Sequence, residues 1–228
     1  MTDTPTIQVT VAAPVDTVWA ALRDKDKIRH WHGWEFTGGP DGSLDQEIDL
    51  IYFTDVTVGE RAVALNGGDR VELAQVEGGT RVTLTRAPRG DDPDWASYYD
   101  DITEGWITFM NQLRFAVERH PHDVRRTVFL SGTATTSPLS ALAIAELSPG
   151  DKYELDLPGE TATGQVWYRS EHQLGLTVNG WNDGLLVLSH NPTSHASMAL
   201  LSLYAIDESR HTELTKQWHV WWTDTVLP

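Results

Sequence analysis

The sequence predicts an α+β protein made of two successive lobes, each an antiparallel sheet followed by a closing helix. Three observations carry this. Short stretches of alternating apolar and polar residues recur between Gly/Asp-rich turns, the pattern of half-buried antiparallel strands. Trp95, Tyr98, Tyr99, Ile102, Trp106, Phe109, Met110, Leu113 and Val117 form one broad stripe at helical spacing. After Pro121 the order strand, helix, strands, helix begins again, which divides the chain into lobes 1–122 and 123–228.

The elements follow in order. Ile7, Val9 and Val11 alternate with Gln8 and Thr10, as in a first strand. Pro14 stands at a helix start, and Val15, Val18, Trp19 and Leu22 follow at helical spacing. A second short helix is expected over 26–31, capped by Asp24 or Asp26. Residues 38–42 form a loop by their turn residues. Strands are expected over 47–53, 61–65, 70–76 and 81–86, the last three joined as a meander by Gly67-Gly68-Asp69 and Glu77-Gly78-Gly79. The striped segment predicts a long helix over about 95–118, with acidic residues at its start and Arg119, His120 and Pro121 at its end. In the second lobe, strands are expected over 125–130, 153–157, 165–170, 173–178, 185–190 and 198–206. A short helix is expected over 138–147 with Ser137 as N-cap. A closing helix over 212–226 carries Leu214, Trp218, Trp221, Trp222 and Thr225 on one face.

Composition narrows the functions. Hydrophobic residues make up 40% and charged residues 22%, so a packed core is expected and disorder is not. A net charge of -16 argues against nucleic acid, whose phosphates need clustered Lys and Arg, and against docking on anionic lipid. The absence of cysteine excludes disulfides, thiolate nucleophiles and Cys-ligated zinc. The segment Met1-Thr2-Asp3-Thr4-Pro5 has no basic region or apolar run of a signal peptide, and no apolar run reaches the roughly 20 residues of a membrane span. A cytoplasmic location is the resulting expectation. Ten tryptophans point to packed aromatic walls, either plain core or the lining of a cavity.

A family likeness then enters. Ile7-Gln8-Val9-Thr10-Val11-Ala12-Ala13-Pro14-Val15-Asp16-Thr17-Val18-Trp19-Ala20-Ala21-Leu22 resembles the opening of Hsp90-activator-like members of the START/polyketide-cyclase (SRPBCC) superfamily. Trp31 is similar to the tryptophan that follows the family's second helix. Thr80-Arg81-Val82-Thr83-Leu84-Thr85 resembles its last strand, and Glu104-Gly105-Trp106 with Phe109 and Leu113 resembles its closing helix. The likeness covers the first lobe. The second resembles a diverged copy: it lacks the Ala-Pro-x-x-x-Val-Trp opening and the Glu-Gly-Trp element. The resemblance implies a helix-grip fold, a curved antiparallel sheet wrapped on a long C-terminal helix with a space between them. A glycine inside that helix, Gly105, costs about 1 kcal/mol against alanine and so has a packing or bending reason.

The resemblance and the aromatic stripe together nominate Trp31, Trp34, Tyr98, Ile102, Trp106, Phe109, Met110 and Leu113 as ligand-binding residues. The alternative is core packing of the stripe, with Trp31 and Trp34 against the first helix. No catalytic motif is present: there is no Gly-x-Ser-x-Gly elbow, phosphate loop or dinucleotide fingerprint. His30-Trp31-His32 and His120-Pro121-His122 supply two imidazoles each, too few for a metal, and Asp91-Asp92-Pro93-Asp94 lacks the spacing of a calcium loop. Neither metal nor cofactor is expected. Glu171-His172 and Asp183 are an acid–base alternative at a rim of the second lobe, against a default of exposed hairpin residues. Three readings of function stand. The first is non-catalytic binding of a hydrophobic or aromatic small molecule. The second is a cyclase/aromatase- or hydrolase-like enzyme. The third is a co-chaperone-like module with a protein partner.

Overall fold

A computed structural model describes residues 4–34, 43–90 and 93–227, with Ser43 and residues 93–98 described in their backbone only. The expected loop over 38–42 and the pair Asp91-Asp92 lie outside the described residues. The chain divides into two compact units: one holds 4–33 and 43–122, the other Trp34 and 123–227.

The first unit runs β1 (Thr6–Val11), α1 (Val15–Arg23), α2 (Lys25–Ile28), α3 (Ser43–Tyr52), β2 (Thr57–Val58), β3 (Ala62–Ala64), β4 (Arg70–Val76), β5 (Gly79–Thr85) and α4 (Pro93–Arg119). Its antiparallel sheet has the order β1-β5-β4-β3-β2. The register explains the alternation. Ile7 faces Leu84, which faces Val71; Val9 faces Val82, which faces Leu73. Strand side chains two apart share a face, so these rows turn one face of the sheet inward. Buried Val18 and Leu22 belong to α1, which packs on β4 and β5, and α4 runs along β1. The far end of α4 is tied to that strand. Glu118 accepts from the Ala12 backbone N–H at 2.8 Å and from Arg114 Nε at 3.1 Å.

One element departs from expectation. The segment over 47–53 is not a strand but most of α3. Ile48 and Tyr52, four residues apart, are buried while Leu50 is 56% exposed. Helical spacing, not alternation, therefore selects the inner face. Charges across the gap in sequence favour that helix. Arg29 forks onto the Asp45 carboxylate with two bonds of 2.7 Å, and Lys25 reaches Asp49 at 2.7 Å.

The second unit runs β6 (Arg125–Thr133), α5 (Pro138–Ala141), β7 (Lys152–Leu157), β8 (Glu160–Arg169), β9 (Gln173–Val178), β10 (Gly184–His190), β11 (Ala196–Tyr204) and α6 (Glu208–Trp221). All neighbours are antiparallel in the order β6-β11-β10-β9-β8-β7. The core joins Leu174, Leu176, Leu186, Leu188, Leu201 and Leu203 of the central strands to Leu214, Trp218 and Trp222 of the closing helix. Asp207 caps α6 by accepting from the Arg210 backbone N–H, as a helix start requires. A π-helical turn, Trp222–Val226, extends it. Helix α5 is shorter than the expected 138–147. Ala143 adopts φ +55°, a left-handed conformation that ends the helix and turns the chain. Both units are thus α+β: an antiparallel sheet followed by a closing helix.

Candidate functional site

The striped face of α4 supplies one side of an aromatic cluster. Trp106, Phe109, Met110 and Leu113 are buried, and Ile102 is half-buried. The side chain of Tyr98 lies outside the described residues. The other side of the cluster comes from the segment after α2 and from α3. Trp31 is 1% exposed and donates its indole N–H to the Ala21 carbonyl at 2.9 Å, which fixes it against α1. Tyr52 and His32 project from the same side. Ring centroids lie 4.5 Å apart for His32 and Phe109, 5.7 Å for Trp31 and Tyr52, and 6.4 Å for Tyr52 and Trp106. The last two are edge-on, a geometry that contributes about 0.5–1.5 kcal/mol beyond area burial. Trp34 belongs to the second unit. Its indole stacks on Phe129 of β6 at 5.5 Å, within the second unit.

Two polar assemblies are set into the aromatic cluster, and neither was foreseen from the sequence. In the first, Tyr52 Oη lies 3.0 Å from His32 Nδ1, and His32 Nε2 lies 3.1 Å from Glu47 Oε1. A carboxylate only accepts, so Nε2–H donates to Glu47; in that tautomer Nδ1 accepts from the tyrosine hydroxyl. The imidazole side chain is fully buried, whereas Glu47 is 43% exposed. The line thus runs from solvent into the apolar interior. Burial, reinforced by the charges of Glu47 and Asp69, pushes the Tyr52 hydroxyl well above its ordinary pKa, so it stays protonated.

The second assembly centres on Asp69, in the turn between β3 and β4. Its carboxylate accepts from Arg86 Nε at 3.0 and 3.1 Å, from the Ala87 backbone N–H at 2.7 Å and from Trp106 Nε1 at 2.8 Å. Arg86 also donates to the Tyr99 carbonyl at 3.3 Å and to Thr103 Oγ1 at 2.5 Å, with its guanidinium over the Tyr99 ring. This carboxylate therefore ties the middle of α4 to the end of the sheet, fixes the Trp106 indole, and through Arg86 holds the turns around Tyr99 and Thr103.

On the flank of the stripe, Gln112 is fully buried and both amide atoms lack a partner among the described residues. A buried amide without partners costs about 1–3 kcal/mol. Gln112→Met is therefore expected to raise unfolding stability by about 1 kcal/mol, read from urea titration. A loss of stability instead would mean that the amide serves a bound water or ligand. Among the described residues no group of three or more His, Asp or Glu is arranged to hold a metal ion.

In the second unit, Glu171 and His172 line a cleft with Arg169 and His190; Asp183 is not part of that lining. Among the described residues no helix is long and apolar enough to cross a membrane.

No family model and no curated protein matches the chain. Among solved structures it is similar to DynU16, a protein of the dynemicin biosynthetic locus, at 18% identity over 98% of this chain and 96% of that one, with a TM-score of 0.38. It is similar to an AHSA1-like protein from Rhizobium etli at 18% identity over 51% of this chain and 82% of that one, with a TM-score of 0.32. A third similar structure is StfQ, the di-domain ARO/CYC of the steffimycin biosynthetic pathway, at 11% identity over 90% and 85%, with a TM-score of 0.34. The α+β class itself rests on the strand pairings and the closing helices described above.

Proposed function

We propose that the first unit, a helix-grip domain of the SRPBCC type, binds a hydrophobic or aromatic small molecule against α4. The observation that supports this reading is the lining. Rings of Trp106, Phe109 and Tyr52 meet around a few fixed polar groups, the composition of small-molecule sites. The polar groups suit a ligand that carries a hydroxyl on an aromatic body. Such a ligand would donate its hydroxyl to a lone pair of Tyr52 Oη, whose own proton is held by His32, and stack on Phe109. The co-chaperone-like reading rests on the family likeness alone.

One observation favours a second reading, acid–base chemistry on the bound molecule in the manner of a cyclase. The Glu47–His32–Tyr52 line is a buried imidazole with a carboxylate on one nitrogen and a hydroxyl on the other, as general acid–base work requires.

Tryptophan fluorescence tests the binding reading. Titration with 2-naphthol is expected to quench saturably. Phe109→Ala, which removes the ring nearest His32, should weaken binding about ten-fold while the protein stays folded by circular dichroism. His32→Gln should weaken 2-naphthol but leave naphthalene unchanged, because only the hydroxyl reads the polar line. Absence of quenching, or quenching that Phe109→Ala leaves intact, overturns the proposal.

A further inference from the structure

The second unit carries a cleft lined by one arginine, one glutamate and two histidines, in a chain whose net charge is -16. The cleft, about 280 Å³, lies between α5 with the loop after it and the ends of β8, β9 and β10. Its polar lining includes Arg169, His172 and His190, and its apolar lining includes Leu139, Ala145 and Pro192. Arg169 donates to the carbonyls of Leu147 at 2.9 Å and Ala145 at 2.6 Å. Both acceptors are uncharged, and among the described residues Arg169 forms no ion pair. Its guanidinium is thus held in place by backbone while its charge is left without a carboxylate. Five N–H donors on a rigid fork leave some free for an incoming anion. His190 Nδ1 is engaged by Ser197 Oγ at 2.8 Å, which orients the ring.

We infer that this cleft binds a small organic carboxylate with an apolar body, the anion on Arg169 and the histidines, the body against Leu139, Ala145 and Pro192. A carboxylate matches the planar fork of arginine, and an apolar body matches the remaining lining. The site lies wholly in the second unit and is separate from the proposed ligand of the first.

Binding is linked to protons. The titratable groups around the cleft are Arg169, Glu171, His172, His190 and, beyond the rim, His195, whose ring centroid lies 6.2 Å from that of His190. Burial, then His195 and His172, hold His190 below the ordinary histidine value, so it is neutral at neutral pH. A bound anion reverses this by favouring the imidazolium. The complex therefore takes up a proton, and affinity is greatest in mild acid and falls as pH rises. Glu171 opposes the anion; it and Arg169 are both exposed, so solvent screens both charges, and what favours the anion at Arg169 is the fixed direction of its N–H donors.

The test is calorimetric titration of the full chain with 1-naphthoate, uncharged 1-naphthol and inorganic phosphate at about pH 5.5 and about pH 8. Naphthoate is expected to bind about ten-fold more tightly at the lower pH, and more tightly than phosphate, whereas any naphthol binding should be unchanged by Arg169→Gln, because it belongs to the first unit. Arg169→Gln should weaken it about ten-fold, Arg169→Lys much less, and His190→Gln should flatten the pH dependence. Because Arg169 also ties down the loop after α5, thermal unfolding of each variant checks that the fold survives. Phosphate binding as tightly as naphthoate would overturn the apolar-body claim. Naphthoate binding that Arg169→Gln or pH leaves unchanged would place it elsewhere and overturn the site, as would no binding at millimolar probe.

Discussion

Asp69→Ala is expected to destabilise the first unit by about 3–5 kcal/mol, the usual consequence of removing one partner of a buried ion pair. Arg86 is 3% exposed and Asp69 is 8% exposed, so water cannot take over the lost contacts without local opening. The substitution orphans a guanidinium, an indole N–H and the Ala87 amide together. The first half of α4 should loosen first, because Asp69 anchors it directly at Trp106 and, through Arg86, at Tyr99 and Thr103. Hydrogen exchange should therefore accelerate across the first half of α4 and at the β3–β4 turn, while the second unit's core strands keep their protection. Urea unfolding that changes by less than about 1 kcal/mol would show that the carboxylate is not the tie described here.

Gly164→Ala should be comparably damaging in the second unit. Gly164 sits on β8 opposite Tyr153 of β7 and Val178 of β9. A Cβ built there would lie 1.8 Å from the Thr177 carbonyl oxygen and 2.7 Å from the Tyr153 hydroxyl. Tyr153 donates to that same carbonyl at 2.5 Å, so its ring lies over the glycine, and a methyl must displace backbone or ring. Overpacking of this kind costs about 3 kcal/mol. The expected result is loss of exchange protection in β7, with a lowered midpoint of thermal unfolding for the unit. Tyr153→Phe keeps the ring and removes one hydrogen bond, so it should cost only about 1 kcal/mol. Equal effects of the two substitutions would contradict a steric origin. Because the chain has two units, each measurement needs a local probe; a single overall midpoint would merge their transitions.

The sequence displayed most of the elements because alternation and stripe are set by which faces are buried. The rows through Val9, Val82 and Leu73 show this, as does the face of α4 from Trp106 to Leu113. Residues 47–53 misled because Ile48, Leu50 and Tyr52 fit a period of two while Ile48, Ile51 and Tyr52 fit a helix equally well. The choice was made by Arg29 and Lys25, residues outside the window. The apolar half of the candidate site was legible for the same reason that α4 was. Its polar half was not. His32 and Glu47 are separated by a stretch without periodic pattern, and Asp69 reads in sequence as a turn residue after two glycines. Only tertiary folding sets a carboxylate from a turn beside an indole from a helix. In the second unit, Glu171-His172 was visible as a pair, but the uncompensated charge of Arg169 depends on carbonyls of a loop far from it in the chain.

The outermost strand of the larger sheet, β7, has one further consequence. Lys152, Glu154 and Asp156 are exposed on it, alternating with buried Tyr153, half-buried Leu155 and buried Leu157. A second molecule adding a strand along this border would have to seat its own residues beside a mixed row of charges on a short, six-residue segment. This discourages edge-to-edge growth into fibrils, a protection that a β-rich unit with leucine-dense central strands requires while it folds.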